Sequence, residues 1–430
     1  MFSYLRIERR SLVAVIVAAI SLTLAPVARA QTETILYNFG LDNTGKCNKI
    51  DDGADPKGSL TYVPATGLLF GRTSSTTSPG NGDGTIFQIM PNGTGYVVDH
   101  FFTGTMKDGI DPRHNAMTLV GSVLYGTTLE GGGNANGTIF SINDDGSGYS
   151  IPSLFQFPAT SKHNGGTQPH SCFVAIGNVL YGMTSQGGKN GPPGDGTIFS
   201  FDPTSSTYTR LHTFDGKHGS NPHGQLIVDP SGSPSYGMTR SGGKHDVGII
   251  FSLGVCSSSG AAKCTPKFKV LHDFTCPGNS TPTCTDKNDG ATPDHGTLVQ
   301  SNSTLYGLTT DGGKYGNGAL FSIDTNGKHF TILHSFGQPT TTDGINPFGS
   351  LTLNGTTLYG TTQLGGNKNN GTVFQIDTDG TNYARVYDFQ NGNDGMKPID
   401  DVLLLDNTLY GMTEKGGMCG DGAIFAIALP

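Results

Sequence analysis

One residue pair recurs along this chain and limits what it can fold into: an aromatic side chain followed by glycine. It stands at Phe70-Gly71, Tyr125-Gly126, Tyr181-Gly182, Tyr236-Gly237, Tyr306-Gly307, Tyr359-Gly360 and Tyr410-Gly411, at spacings of roughly 50–70 residues. A Gly-Gly loop usually comes next, as at Gly131-Gly132, Gly187-Gly188 and Gly365-Gly366, and then a Gly-Thr-Ile/Val-Phe strand such as 84–87, 137–140 or 371–374. A polar turn leads to a strand ending in an aromatic (211–214, 271–274, 333–336), and an Asp-Gly-x-x-Pro stretch opens the next unit (108–112, 343–347). Each unit thus carries four short strands, a to d, placed in the first unit at 59–63, 68–73, 85–90 and 96–102.

With 65 glycines in 430 residues the chain has about twice the usual ~7 %. Each would cost about 1 kcal/mol inside a helix, so a helical fold is disfavoured. The glycines have no three-residue period, which excludes collagen. Only 14 % of residues are charged and apolar residues are spread throughout, which argues against disorder. Repeats of four short strands are propeller blades, whose faces are buried only when blades stack around an axis. The last unit stops after its strand c at 423–427, while the chain opens with an orphan strand d at 34–39. The expected fold is therefore all-β: a seven-bladed β-propeller over 31–430, closed by the N-terminal strand completing the last blade.

The Leu-Tyr-Gly-Thr-Thr … Gly-Gly … Gly-Thr-Ile/Val-Phe pattern resembles the GloVer-type tandem repeat of secreted bacterial proteins, the choice-of-anchor tandem repeat family. The likeness covers nearly all of 31–430, and only the first unit departs from it, with 74–79 in place of the Gly-Gly loop. It implies a secreted repeat protein and carries no activity onto particular residues.

Residues 1–30 read as a signal peptide: Arg6, Arg9 and Arg10, an apolar run over 11–25 and an Ala28-Arg29-Ala30 cleavage site. The mature product is expected to begin at Gln31, to carry no membrane anchor, and to be a monomer that is secreted or periplasmic. The net charge of −8 and the lack of any basic run exclude nucleic acid as a partner. Export permits disulfides. Cys256 with Cys264 and Cys276 with Cys284 are expected to close local insertions in the fourth unit and the loop after it, and Cys47 with Cys419 to lock the seam of the ring. Cys172 is left as a buried thiol. No CxxC pair suggests zinc.

No G-x-S-x-G, HExxH, P-loop, EF-hand or dinucleotide motif occurs. The absence of Trp disfavours quinone-cofactor propellers. Near-matches to sialidase-like Asp boxes at 322–327 and 376–380 need only turn chemistry. Tyr37, His100, Phe155, His212, His272, His334 and Tyr387 share one strand-d position, and exchange among these types means packing. A second set, His114, His170, His223 and His295, comes after Pro112, Pro169, Pro222 and Pro293 just before strand a, where side chains converge toward the axis. Lys57, Phe348 and Ile399 stand at corresponding places. Imidazoles at a channel mouth can bind a metal or act as acid and base; the plainer alternative is four hydrogen-bonded loop histidines. Asp111 and Asp294, with Asp55, Asp289 and Asp343, either cap turns or bind Ca²⁺; no other cofactor is expected. Two functions remain open. One is a binding scaffold for an extracellular glycan or surface protein. The other is a polysaccharide or lactone lyase or hydrolase with a histidine-containing site at the channel mouth. A close His–Asp trio favours the enzyme and scattered histidines favour the scaffold.

Overall fold

A computed structural model describes residues 33–77, 83–105, 108–114, 116–151, 157, 165–188, 194–229, 232–233, 235–254, 266–275, 289–339, 342–390 and 392–430. The signal-peptide reading, Phe155, and the pairings Cys256–Cys264 and Cys276–Cys284 lie outside these residues. Seven antiparallel sheets succeed one another along the chain. In the first, Thr61–Val63, Leu68–Thr73, Thr85–Ile89 and Val97–Phe101 lie side by side in that order. Six sheets have these four strands. In the second, strands a to c are described, and a bridge from Ser141 to Ser150 continues the sheet outward.

The repeated glycine on strand b has a steric cause. It faces a phenylalanine on strand c in all seven blades, as Gly307 faces Phe321 and Gly411 faces Phe425. A methyl on Gly307 would lie 2.5 Å from the Phe321 ring and one on Gly360 2.6 Å from the Phe374 ring. The ring lies flat across the neighbouring strand, in the space a side chain would take. From there it enters the cluster shared with an adjacent blade. Each of the seven apolar clusters joins two neighbouring blades: Phe321 packs with Tyr236, Met238 and Phe274 of the blade before it, and Phe87 with Phe39, Tyr410 and Ile424 of the seventh blade. Burying one such ring is worth about 1.5–3 kcal/mol.

The seventh interface closes the ring. The N-terminal strand Glu33–Asn38 pairs antiparallel with Ala423–Ala428, Ile35 opposite Phe425, and completes a sheet with Thr408–Thr413 and Leu403–Leu405. The first residues of strand a and those just before it form a belt of hydrogen bonds from blade to blade. Thr61 Oγ1 donates to Met117 O at 2.9 Å, Gln225 N to Thr297 Oγ1 at 3.1 Å and Thr297 N to Ser350 Oγ at 3.0 Å; Thr352 bonds Val402, and Ser59 of the first blade bonds Asp401 of the last. This belt places strand a at the inner edge. Cys47 and Cys419 form the expected disulfide across the seam, with Cα atoms 5.2 Å apart and 372 residues between them. Cys172 is fully buried and free.

The motif reading did not foresee a second, smaller pairing. The loop before strand a bonds to the b–c loop of the same blade, as in Gly109–Ile110 with Glu130–Gly131 or Gly344–Ile345 with Leu364–Gly365. Single bridges, Ser220 to Ser241 and Met396 to Lys415, do the same in the fourth and seventh blades. Both loops of every blade therefore lie at one end of the ring.

The packing has two measurable consequences. Gly307→Ala is expected to lower stability by about 1–3 kcal/mol by overfilling the Phe321 contact, read from the denaturation midpoint; an unchanged midpoint contradicts the contact. Reducing Cys47–Cys419, which are 372 residues apart, removes a constraint that chain entropy puts at about 6 kcal/mol. Melting temperature after confirmed reduction is expected to fall by several degrees, and no shift would contradict a bond that holds the seam.

Candidate axial histidine centre

The geometry of the site begins with seven strained residues. Asp55, Asp111, Gln168, Asn221, Thr292, Asn346 and Lys397 each precede a proline and have φ between 51° and 59°. A proline in the next position normally drives a residue to extended backbone, so this conformation must be held by its surroundings. It is pinned twice. Asp111 N donates to Asp83 O of the preceding blade at 3.0 Å, and Leu129 N donates to Asp111 O at 3.1 Å. The six equivalents repeat both bonds. Each proline packs on the glycine that opens strand c of the preceding blade, whose own φ is strongly positive; a methyl on Gly422 would lie 2.6 Å from Pro56. The chain then turns inward, and the two residues after the proline face the axis.

Those two positions carry the candidates, and they form two pairs rather than one set. His170 and His223 come directly after their prolines, in line with Lys57, Arg113, Asp294, Phe348 and Ile399. His114 and His295 come one residue later, in line with Gly58, Ser171, Gly224, Gly349 and Asp400. All four nonetheless converge. Ring centroids are 3.8 Å apart for His114 and His295, 3.9 Å for His170 and His223, 4.8 Å for His223 and His295, and 5.1 Å for His170 and His295. His114 and His295 are buried, His223 is at the edge of burial at 9 %, and His170 is partly buried, the least buried of the four.

Asp294 organises one side. Its Oδ1 accepts from His223 Nδ1 at 2.7 Å and lies 3.4 Å from His295 Nε2 and 3.1 Å from Arg240 Nε. His223 Nε2 is 3.0 Å from Asn221 Oδ1. Burial resists ionisation of Asp294, but His295, His223 and Arg240 together hold its carboxyl well below the usual range. Burial, reinforced by the other imidazoles and the nearby arginines, holds His114, His170 and His295 well below the usual histidine value. All three are neutral at neutral pH. Their Nδ1 atoms are buried and have no hydrogen-bond partner, although Asp400 Oδ1 is 3.9 Å from that of His114. The ligand atoms of His114, His170 and His295, and those of His223, Asp294 and His295, lie within 4.8 Å of one another. Such a cluster can hold a metal or move a proton.

The other predicted acids sit apart. Asp289 accepts from Gly290 N, Thr275 N and Thr275 Oγ1 and meets His272 Nε2 at 3.0 Å; Asp343 does the same with Gly344 N, Gly337 N and His334. These are turn caps. Asp111 pairs with Arg113, and Asp55 with Lys415. The strand-d histidines pack as expected: His100 stacks on Tyr149, His272 on Phe330 and His334 on Tyr383, each of the next blade. The bond from each to the Asp of the Asp-Gly stretch was missed, though that stretch recurs after each of them. Arg72 was also missed. It is fully buried, and its guanidinium bonds His114 O at 2.7 Å, Thr127 O at 3.3 Å and Cys172 Sγ at 3.1 Å. The signal was present: the other units have Thr, Met or Leu after the repeat glycine.

The Gloeobacter/Verrucomicrobia repeat model matches residues 28–251, 124–351 and 253–430. No curated protein matches the sequence. Among solved structures, the extracellular domain of a one component system from B. thetaiotaomicron is similar with a TM-score of 0.53 at 13 % identity, over 92 % of this chain and 40 % of that one. This chain thus spans about two-fifths of that structure's length. The periplasmic gluconolactonase of Pseudomonas aeruginosa gives 0.51 at 13 % identity over 91 % of this chain and 94 % of that one. An oligogalacturonate lyase in complex with manganese gives 0.54 at 11 % identity, over 93 % and 98 %. At these identities the likeness is one of fold.

The centre predicts a pH response. Histidines held neutral in the fold but near 6.5 when unfolded bind protons preferentially in the unfolded chain. Their effect is a loss of stability as pH falls below about 6.5, and none above it. Glu33, pushed up to about 7 by burial and Asp394, and Asp99, pushed up to about 7 by burial and Asp145, act in the opposite sense over the same range. The comparison is therefore between wild type and His114→Gln/His295→Gln. The double variant is expected to lose less stability between pH 7 and 5; equal loss contradicts neutral burial of the pair.

Proposed function

Because the chain belongs to the Gloeobacter/Verrucomicrobia repeat family and closes its repeats into one propeller, we propose that it is an extracytoplasmic binding propeller whose ligand is an acidic saccharide, held at the loop-bearing end of the ring. One observation carries this reading. The half-buried His170 feels both Arg113 and Arg240, and these side chains keep 29 % and 43 % of their surface exposed. Each is anchored by one carboxylate, Asp111 or Asp294. A guanidinium has five donors in a planar fork, so both retain donors for a ligand carboxylate. The neutral imidazole near them suits sugar hydroxyls.

The setting supports the reading. The Cys47–Cys419 disulfide fits an oxidising compartment. Propellers of like fold include a periplasmic protein and an extracellular domain, and two are named for sugar-acid chemistry, as a gluconolactonase and an oligogalacturonate lyase. Turnover at the same place is a second reading, and the close trio of His223, Asp294 and His295, the arrangement expected of an enzyme from the sequence, favours it, with His223 2.7 Å from ionised Asp294. That pair resembles an acid–base dyad, and His170 beside it is neutral and accessible.

Calorimetry with oligouronates and with neutral oligosaccharides of equal length tests the proposal. Binding is expected for the acidic series alone. Arg113→Gln or Arg240→Gln is expected to weaken it about 10–100-fold, the loss of a charge-assisted contact. Binding of neutral sugars alone, or none, overturns the reading, and release of unsaturated or ring-opened product moves the assignment to an enzyme.

A further inference from the structure

The geometry points to a binding site for one divalent transition-metal ion in this centre, with His114, His170 and His295 as ligands and Asp294 and His223 as their support. The inference does not depend on the saccharide reading.

It begins with the three orphaned Nδ1 atoms. A buried polar atom without a partner is costly, and native proteins leave few. Here three lie in one cluster, on residues the fold does not need. The position of His114 and His295 is filled by Gly58, Gly224 and Gly349 in other blades, and that of His170 by Phe348 and Ile399. Packing alone is satisfied without imidazole at these places.

The protonation pattern agrees. A metal needs the lone pair of a neutral imidazole. The Asp294 carboxylate, 3.4 Å from His295 Nε2, favours the proton on that nitrogen, which leaves the lone pair on Nδ1. A carboxylate behind a histidine that faces a metal is the usual way of orienting the ring. His114 is held by its backbone on both sides: its carbonyl accepts from Arg72, and its N–H donates to Lys57 O.

Distances set the size of the adjustment. Four-coordinate zinc with Zn–N bonds of about 2.0–2.1 Å needs ligand nitrogens about 3.3 Å apart. One ring nitrogen from each of the three histidines lies within 4.8 Å of the others, so a bound metal would have to draw them together by up to about 1.5 Å. The nitrogen-rich set selects zinc, copper, nickel or cobalt over calcium and magnesium, which require oxygen ligands. His170 is the least buried of the three ligands, and three imidazoles leave a fourth position for water or a ligand oxygen.

The test uses untagged protein produced from the full-length chain, stripped with chelator and titrated with Zn²⁺ and Co²⁺. One equivalent is expected to bind, with cobalt giving the visible absorption of a low-symmetry four- or five-coordinate site. His114→Gln/His295→Gln is expected to lose that equivalent, and Asp294→Asn to weaken it about 10–100-fold. His329→Gln, an exposed histidine elsewhere, leaves it unchanged. Circular dichroism confirms folding of each variant, and metal should raise the melting temperature of wild type and His329→Gln but not of His114→Gln/His295→Gln. No stoichiometric binding of either ion, or binding that survives the double variant, overturns the proposal. Metal binding without uronate binding, or the reverse, separates this inference from the saccharide reading.

Discussion

A phenylalanine ring lying over a glycine backbone sets the geometry of the whole molecule. On strand c the ring needs a neighbour with no side chain, and strand b supplies one in every blade. The ring then reaches the next interface at a fixed height. The contact recurs in all seven blades, and the ring closes where the N-terminal strand pairs with Ala423–Ala428. Closure removes the sheet edges that an open stack would expose. It also brings loops distant in sequence to one axis, which no single blade could do.

The axis is where the repeats stop being alike. The strained residue before each proline and its two pinning bonds are common to all seven units. The two residues after the proline differ from blade to blade, although the second lies close to the next blade, where a methyl on Gly224 would collide with Gly296 O. Four blades place histidine there, two place Phe348 and Ile399, and one places Lys57. A symmetric frame thus carries an asymmetric centre, which is what recognition of an asymmetric ligand requires. Arg72 belongs to the same departure. It replaces an apolar or hydroxyl side chain on strand b and ties the first blade to His114 of the second and Cys172 of the third.

Features that repeat were legible from the residues alone. The seven Tyr/Phe-Gly pairs, the orphan strand at the start and the truncated last unit lead to the ring and its seam. The positions of Cys47 and Cys419 on either side of that seam lead to their bond. Features that depend on contacts between blades were not legible. That the four histidines stand one or two residues after their prolines was visible in the sequence, but the stacking of their rings was not, because it arises from contacts between blades. The small ladders beneath the loops have no side-chain signature, since their bonds are made by backbone. The strand-d histidines advertised packing through exchange with Tyr and Phe, while their aspartate partners came from a loop of variable length.

The central claim is that the N-terminal strand is an integral part of the ring that assembles the centre. Hydrogen exchange of the intact protein tests it most directly. Amides of Glu33–Asn38 paired to Ala423–Ala428 are expected to exchange only with global opening, at the same free energy as those joining Thr408–Thr413 to the same strand. Rapid exchange of Glu33–Asn38, with the rest of the seventh blade still protected, would contradict the account.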